Sequence, residues 1–136
     1  FNSKMAGTVK DSEVQVTFED QQKINRFART NARLVDLKEE LSTKEKEWEN
    51  LTYAEEELLM AEGDSDRVPY QIGEVLVEMS VEEAQAELEK AKEVCQTEMS
   101  ELKQNAENHK VILNELKTAL YAKFGSNINL DLDDES

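Results

Sequence analysis

Few residues in this chain are equipped for chemistry, and their spacing keeps them apart. His109 is the only histidine and Cys95 the only cysteine. Both fall in one helical stretch, separated by about 21 Å at 1.5 Å per residue, too far to share a metal. His109 lies on a heptad seam, where a packed or partly exposed histidine is the ordinary finding. Carboxylates are abundant but follow helix-surface spacing. Glu39 and Glu40 near Lys44, and Glu89 near Lys92 and Glu93, read as ion-pair neighbours. Asp64-Ser65-Asp66 and Asp131–Glu135 lack the central glycine and closing glutamate of a calcium loop. No glycine run cradles phosphate. Asn50-Leu51-Thr52 matches a glycosylation sequon, read as chance inside a helix. The expectation is a non-enzyme, with no catalytic residue, metal or cofactor.

The elements that position these residues are organised around Arg67–Met79, RVPYQIGEVLVEM, which alone has β character. Val68, Tyr70, Ile72, Val75, Val77 and Met79 supply β-branched, aromatic or apolar side chains. Gly73-Glu74 breaks the run, which predicts a hairpin of Val68–Ile72 and Val75–Met79. Two short strands are not stable alone in water, and their open edges invite other chains. These residues, with Gly73, are the candidate oligomerisation site.

Long helices flank the hairpin. Thr17-Phe18-Glu19-Asp20 resembles a capping box with Asp in place of Glu, so a helix starts there. Phe27, Leu34, Leu41 and Trp48, with Leu37, Leu51 and Leu58, make a heptad seam that Thr30, Lys44 and Glu55 weaken. Gly63 ends this helix near residue 61, before the acidic turn 62–66. Ser80-Val81-Glu82-Glu83 is a full capping box opening a second helix that closes at Phe124 before Gly125. Its seam runs Leu88, Cys95, Met99, Leu102, Ala106, His109, Leu113, Leu116, Leu120, interrupted at Gln85 and Lys92. Residues 1–13 are expected to be disordered, with a short lead-in from residue 14, and 125–136 form an acidic tail. Two helices of about 44 residues can fold back as an antiparallel pair. Equal distance from the hairpin then sets Phe27 near Leu116, Leu34 near His109, Leu41 near Leu102 and Trp48 near Cys95. Heptads alone do not fix orientation, and a parallel homodimeric coiled coil is the alternative.

The totals agree with this mainly helical reading. The sequence has 136 residues, 35% of them charged, one Pro and four Gly, which suits long helices better than a layered globule. A formal charge of −15 argues against nucleic acid and anionic membrane surfaces as partners. A single cysteine suits a reducing compartment. No apolar run is long enough to span a bilayer, and no signal-peptide pattern opens the sequence.

Folding back gathers an apolar set at the end of the helix pair away from the hairpin. Phe18, Ile24 and Phe27 come from the first helix and Leu120, Tyr121 and Phe124 from the second. Val14, Val16, Ile128 and Leu130 lie in the flanking segments. Apolar side chains at a frayed end are a candidate sticky surface. The plainer reading is that Phe27 and Leu120 only close the seam.

Three stretches carry a resemblance. VTFEDQQKIN at 16–25, VPYQIGEV at 68–75 and LYAKFGSNINL at 120–130 resemble β-type subunits of the prefoldin family, most nearly its subunit-4 branch. The last is the most specific, and the likeness covers about residues 14–136. It implies an ATP-independent holding chaperone: a hetero-hexamer of two α-type and four β-type subunits, whose hairpins join into an inter-subunit β-barrel bearing coiled-coil arms. The arm tips, here Val16, Phe18, Ile24, Phe27, Leu120, Tyr121, Phe124, Ile128 and Leu130, would hold unfolded actin and tubulin and pass them to the cytosolic chaperonin. The implied location is the cytoplasm, with the nucleus left open. The rival reading is a coiled-coil adaptor whose hairpin docks in one fixed complex without a client.

Overall fold

A computed structural model describes residues 15–60, 67–72 and 75–130. Between Arg67 and Glu78 only the backbone enters the account. The expected disorder of 1–13, Val14, the turn 62–66, Gly73-Glu74 and the acidic stretch 131–136 lie outside the described residues. The element order is α1 (Phe18–Met60), β1 (Arg67–Ile72), β2 (Val75–Ser80), α2 (Val81–Phe124) and a 3-10 turn at Gly125–Asn127.

The mainly α architecture follows from the sequence pattern. α1 and α2 contain neither Gly nor Pro, so nothing breaks their backbone ladders. Both open on side-chain caps. Ser80 Oγ accepts the Glu83 N–H at 3.1 Å, and Glu83 Oε1 accepts the Ser80 N–H at 3.0 Å, closing the capping box expected there. β1 and β2 pair antiparallel, with Val68 opposite Met79, Tyr70 opposite Val77 and Ile72 opposite Val75. Directly opposed residues share a face. That register therefore sets all six apolar candidates at same-face positions, and Arg67, Pro69, Gln71, Leu76, Glu78 and Ser80 at the other.

The chain divides into two compact units. Among the described residues, one comprises 15–37 together with 105–130. Its buried residues include Ile24, Phe27, Thr30, Leu34, Leu37, Ala106, Leu113, Leu116 and Leu120. The other is Lys38–Gln104. There Leu58, Ala84 and Leu88 form a cluster, with Leu51, Ala54, Met79 and Val81 packed against it. In the first unit Asp20 near the start of α1 pairs with Lys123 near the end of α2, and in the second Lys44 pairs with Glu98 and Glu55 with the earlier Lys92, so partners run in opposite order along the two helices. Within each unit the helices are thus antiparallel partners from one chain, and the parallel homodimer is not the arrangement adopted.

Three seam positions read as weak are not. Thr30 is buried. Lys44 Nζ pairs with Glu98 Oε1 at 2.7 Å and with Glu47 at 3.5 Å. Glu55 pairs with Lys92 Nζ at 2.9 Å, and that ammonium lies 4.5 Å from the centroid of the Trp48 ring. Two interruptions on one helix meet charged partners on the other.

Candidate functional site

The candidate site is built at the start of α1 and the end of α2. Thr17 Oγ1 accepts the Asp20 N–H at 3.0 Å, and Asp20 Oδ2 accepts the Thr17 N–H at 3.0 Å. This is the reciprocal capping box, closed by the shorter acid. Lys123 Nζ on α2 donates to the same carboxylate oxygen, so one buried side chain both caps α1 and ties the two helices together. Burial pushes the Asp20 carboxyl up, but the bond from Lys123 and those with the Thr17 amide and hydroxyl outweigh it, leaving the group below its ordinary range.

After Phe124 the chain reverses. Gly125 has φ +56°, the left-handed conformation that ends helices and favours glycine. The following turn leads into extended backbone at Ile128. Ile128 and Leu130 are buried while Asn129 between them is exposed, the alternation of a strand-like segment with one face covered. The Leu130 N–H donates to the Tyr121 hydroxyl at 3.0 Å, fastening this strap to α2.

Nine residues were expected to form a client-binding tip of apolar side chains at a frayed end. The structure gathers them into one unit but closes most of them in. Ile24, Phe27, Leu120, Phe124, Ile128 and Leu130 are buried, and Val16 and Tyr121 are half-buried. Phe18 alone stands out, 76% exposed. The expectation of a frayed end is corrected: Thr17, Asp20 and Lys123 tie the helix ends together, and the Leu130 N–H bonds the chain beyond Gly125 back to α2. Phe124, expected to reach beyond the seam, is 2% exposed. Sequence reasoning placed Asp20 in the capping box but missed its pairing with Lys123, although the signal was present. The equal-distance rule that sets Phe27 against Leu116 also sets Asp20 against Lys123.

The oligomerisation candidates Val68, Tyr70, Ile72, Val75 and Val77 sit in the paired strands. Gly73 lies outside the described residues. Met79 packs on the chain's own Leu58–Ala84–Leu88 cluster, which places the end of β2 against the helices of its unit.

The residues singled out for chemistry are occupied otherwise. Cys95 is buried, and its Sγ–H donates to the Lys44 carbonyl at 3.3 Å. Burial first, then the nearby Glu47, pushes its thiol above the ordinary value. The Lys44 ammonium is held above its usual value chiefly by the bond to Glu98. His109 Nδ1 lies 2.8 Å from the Asn105 carbonyl of its own helix. Thr52 bonds back to the Trp48 carbonyl at 3.0 Å. Among the described residues no three His, Cys, Asp or Glu side chains are grouped to hold a metal ion, and no helix is long and apolar enough to cross a membrane.

Known proteins are similar to this chain in sequence and in fold. Prefoldin subunit 4 of Bos taurus is 48% identical over 133 residues, covering 96% of this chain and 99% of its own length. The Homo sapiens subunit 4 is 47% identical over the same span. Prefoldin subunit 4 of Saccharomyces cerevisiae is 38% identical over 117 residues, covering 86% of this chain and 90% of its own length. In fold, the chain is similar to the crystal structure of the prefoldin beta subunit from Thermococcus strain KS-1. The TM-score is 0.73 at 16% identity, covering 82% of this chain and 96% of that one. The prefoldin subunit family model matches residues 21–127, which include most of both helices and the whole hairpin. With relatives this similar over nearly their whole length, this chain belongs to the prefoldin family.

Proposed function

We propose that the chain works as a non-enzymatic β-type subunit in a hexamer of two α-type and four β-type subunits. In this reading the complex captures unfolded proteins of the actin and tubulin class without ATP and passes them to the cytosolic chaperonin. The compartment is the cytoplasm, with the nucleus as a second setting. Family membership makes a chaperone subunit the starting point. The observation that carries the rest is the hairpin. A two-stranded sheet with six apolar residues at same-face positions leaves both outer edges without a partner strand among the described residues. Strands from neighbouring subunits would complete those edges and close a barrel.

Client capture is assigned to the unit bearing Phe18, with the buried apolar residues of that unit, Ile24, Phe27, Leu120, Phe124, Ile128 and Leu130, as a reserve surface. One exposed phenyl ring offers about 1.5–3 kcal/mol when covered, enough for a weak contact and too little for a tight one. Several such ends acting together hold a chain that each alone would release. Weak single contacts also let the client leave without nucleotide hydrolysis.

The test uses the assembled complex and guanidinium-unfolded actin, followed by light scattering. Phe18→Ser should raise several-fold the concentration of complex needed to suppress aggregation while assembly stays intact. Unchanged potency would sink the assignment of the client surface. Separately, Val75→Asp with Val77→Asp should abolish co-purification with partner subunits. A normal complex from that variant would remove strand pairing as the basis of assembly.

A further inference from the structure

The charge of this chain is divided along its length. Residues 15–37 with 105–130 hold seven Lys or Arg against five Asp or Glu, a net +2, whereas residues 38–104 hold seven against twenty, a net −13. The basic excess is concentrated on one face of α1. Phe18, Gln22, Arg26, Arg29 and Arg33 follow steps of four, four, three and four, which line them along one side of a helix, and all five are exposed. The residues one turn from Arg26 are Gln22, Lys23, Arg29 and Thr30, and those one turn from Arg29 are Asn25, Arg26, Ala32 and Arg33. None is a carboxylate, whereas Lys44 and Lys90 each pair with a glutamate three residues away. Like charges at that spacing weaken a helix, so helix stability does not account for the stripe. Neither Arg26 nor Arg29 forms an ion pair among the described residues, while Arg33 has an interaction of its own.

Two unpaired guanidiniums in line with an exposed phenyl ring suit a segment that is acidic and apolar at once. We propose that this face of α1 selects acidic segments of unfolded clients: Phe18 covers an apolar side chain, and Arg26 and Arg29 take carboxylates of the same segment. The inference rests on the client-capture reading above and names the class of segment taken. By helical rise Arg26 and Arg29 stand about 12 and 16 Å along α1 from Phe18. An extended chain covers those spans in about four and five residues, which sets the spacing of acids from the apolar residue. The pairs form at the surface, so each adds only about 1.5- to 5-fold in affinity and is screened by salt. Contributions of that size keep the hold weak enough for release without nucleotide. The acidic 38–104 repels the same segment, which confines capture to the unit bearing Phe18. A nucleic-acid strand would meet a single basic stripe on a chain of −15, so a polypeptide is the better fit.

The test uses the assembled complex and fluorescence anisotropy with two labelled peptides, one alternating Glu with apolar residues and a twin carrying Lys in place of Glu. In about 50 mM salt the acidic peptide should bind several-fold tighter than its twin, and the gap should close at about 0.5 M, where screening is nearly complete. Arg26→Gln with Arg29→Gln should weaken the acidic peptide about 2- to 25-fold at low salt and leave the twin no weaker. Arg26→Lys with Arg29→Lys, which keeps the charge, should retain most of the preference. No preference in the parent, or one that survives the double Gln variant, would overturn the inference. So would loss of partner subunits from that variant, which would make the stripe an assembly contact, or tighter binding of a labelled oligothymidine than of the acidic peptide. Phe18→Ser separates the two readings. If it weakens both peptides and the parent shows no acid preference, only this inference is lost. If it changes neither peptide, the client-capture reading has failed, and this inference with it.

Discussion

Asp20→Asn isolates the charge that ties α1 to α2. The amide keeps the shape and one acceptor oxygen for the Thr17 N–H, but loses the negative charge facing Lys123. Asp20 is buried while Lys123 is 38% exposed, so the pair is neither a fully screened surface contact nor a deeply buried one. Charge-assisted bonds contribute about 1.5–3 kcal/mol against about 0.5–1.5 for neutral ones, and solvent around Lys123 discounts the upper end. The expected loss is about 1–2 kcal/mol, or five- to thirty-fold in local opening. Hydrogen exchange of the peptide spanning 18–27, corrected for intrinsic rates, reads that opening directly. The sign with pH follows from the depressed carboxyl. Its stabilisation is fully present above the unfolded value of about 4 and is lost as pH falls through the lower folded value. The gap between parent and variant should therefore be widest near neutrality and shrink below about pH 4. Equal protection at pH 7, or a gap that persists undiminished in acid, would refute this account.

Two further outcomes follow from burial. Leu37 is 0% exposed, so Leu37→Ala should cost about 2–5 kcal/mol in urea unfolding, the range for emptying a packed leucine site, whereas a change near zero would mean the site collapses without a cavity. Cys95, buried and protonated, should react with iodoacetamide orders of magnitude slower in the native protein than in denaturant. Comparable rates in the two states would contradict its packing.

Much of the fold was legible because local chemistry and tertiary need coincide. The hairpin register follows from the six apolar residues around Gly73-Glu74. The strands extend one residue further outward than expected because Arg67 and Ser80 also pair. The helix limits were legible at Thr17 and Ser80, where caps of the right type stand three residues before an acid. The state of the apolar end was not legible. Heptad counting ranks positions along one helix and carries no information on what crosses its end. Gly125 reads in sequence as a helix stop, which it is, but the direction of the chain beyond depends on whether Ile128 and Leu130 find cover. Ile24 was equally hidden, because it falls between the positions counted in sevens from Phe27, yet it is buried with Asp20 four residues before it and Phe27 three residues after.

The polar seam residues explain how so regular a pattern settles on one register. Leucine-rich heptads are nearly degenerate under a slip of seven residues, since an apolar position meets another apolar position. The charged pairs are not. Sliding α2 by one heptad in either direction brings Asn105 or Ala91 to Lys44 in place of Glu98, and Met99 or Gln85 to Glu55 in place of Lys92. In the other unit, Asp20 would meet Leu116 or the strap residue Leu130 instead of Lys123. Every slipped pairing leaves a half-buried charge without its counterpart, a far larger penalty than the small net gain of the pairs themselves. The part-exposed pairs Lys44–Glu98 and Glu55–Lys92 thus contribute less to how stable the helices are than to which alignment they adopt.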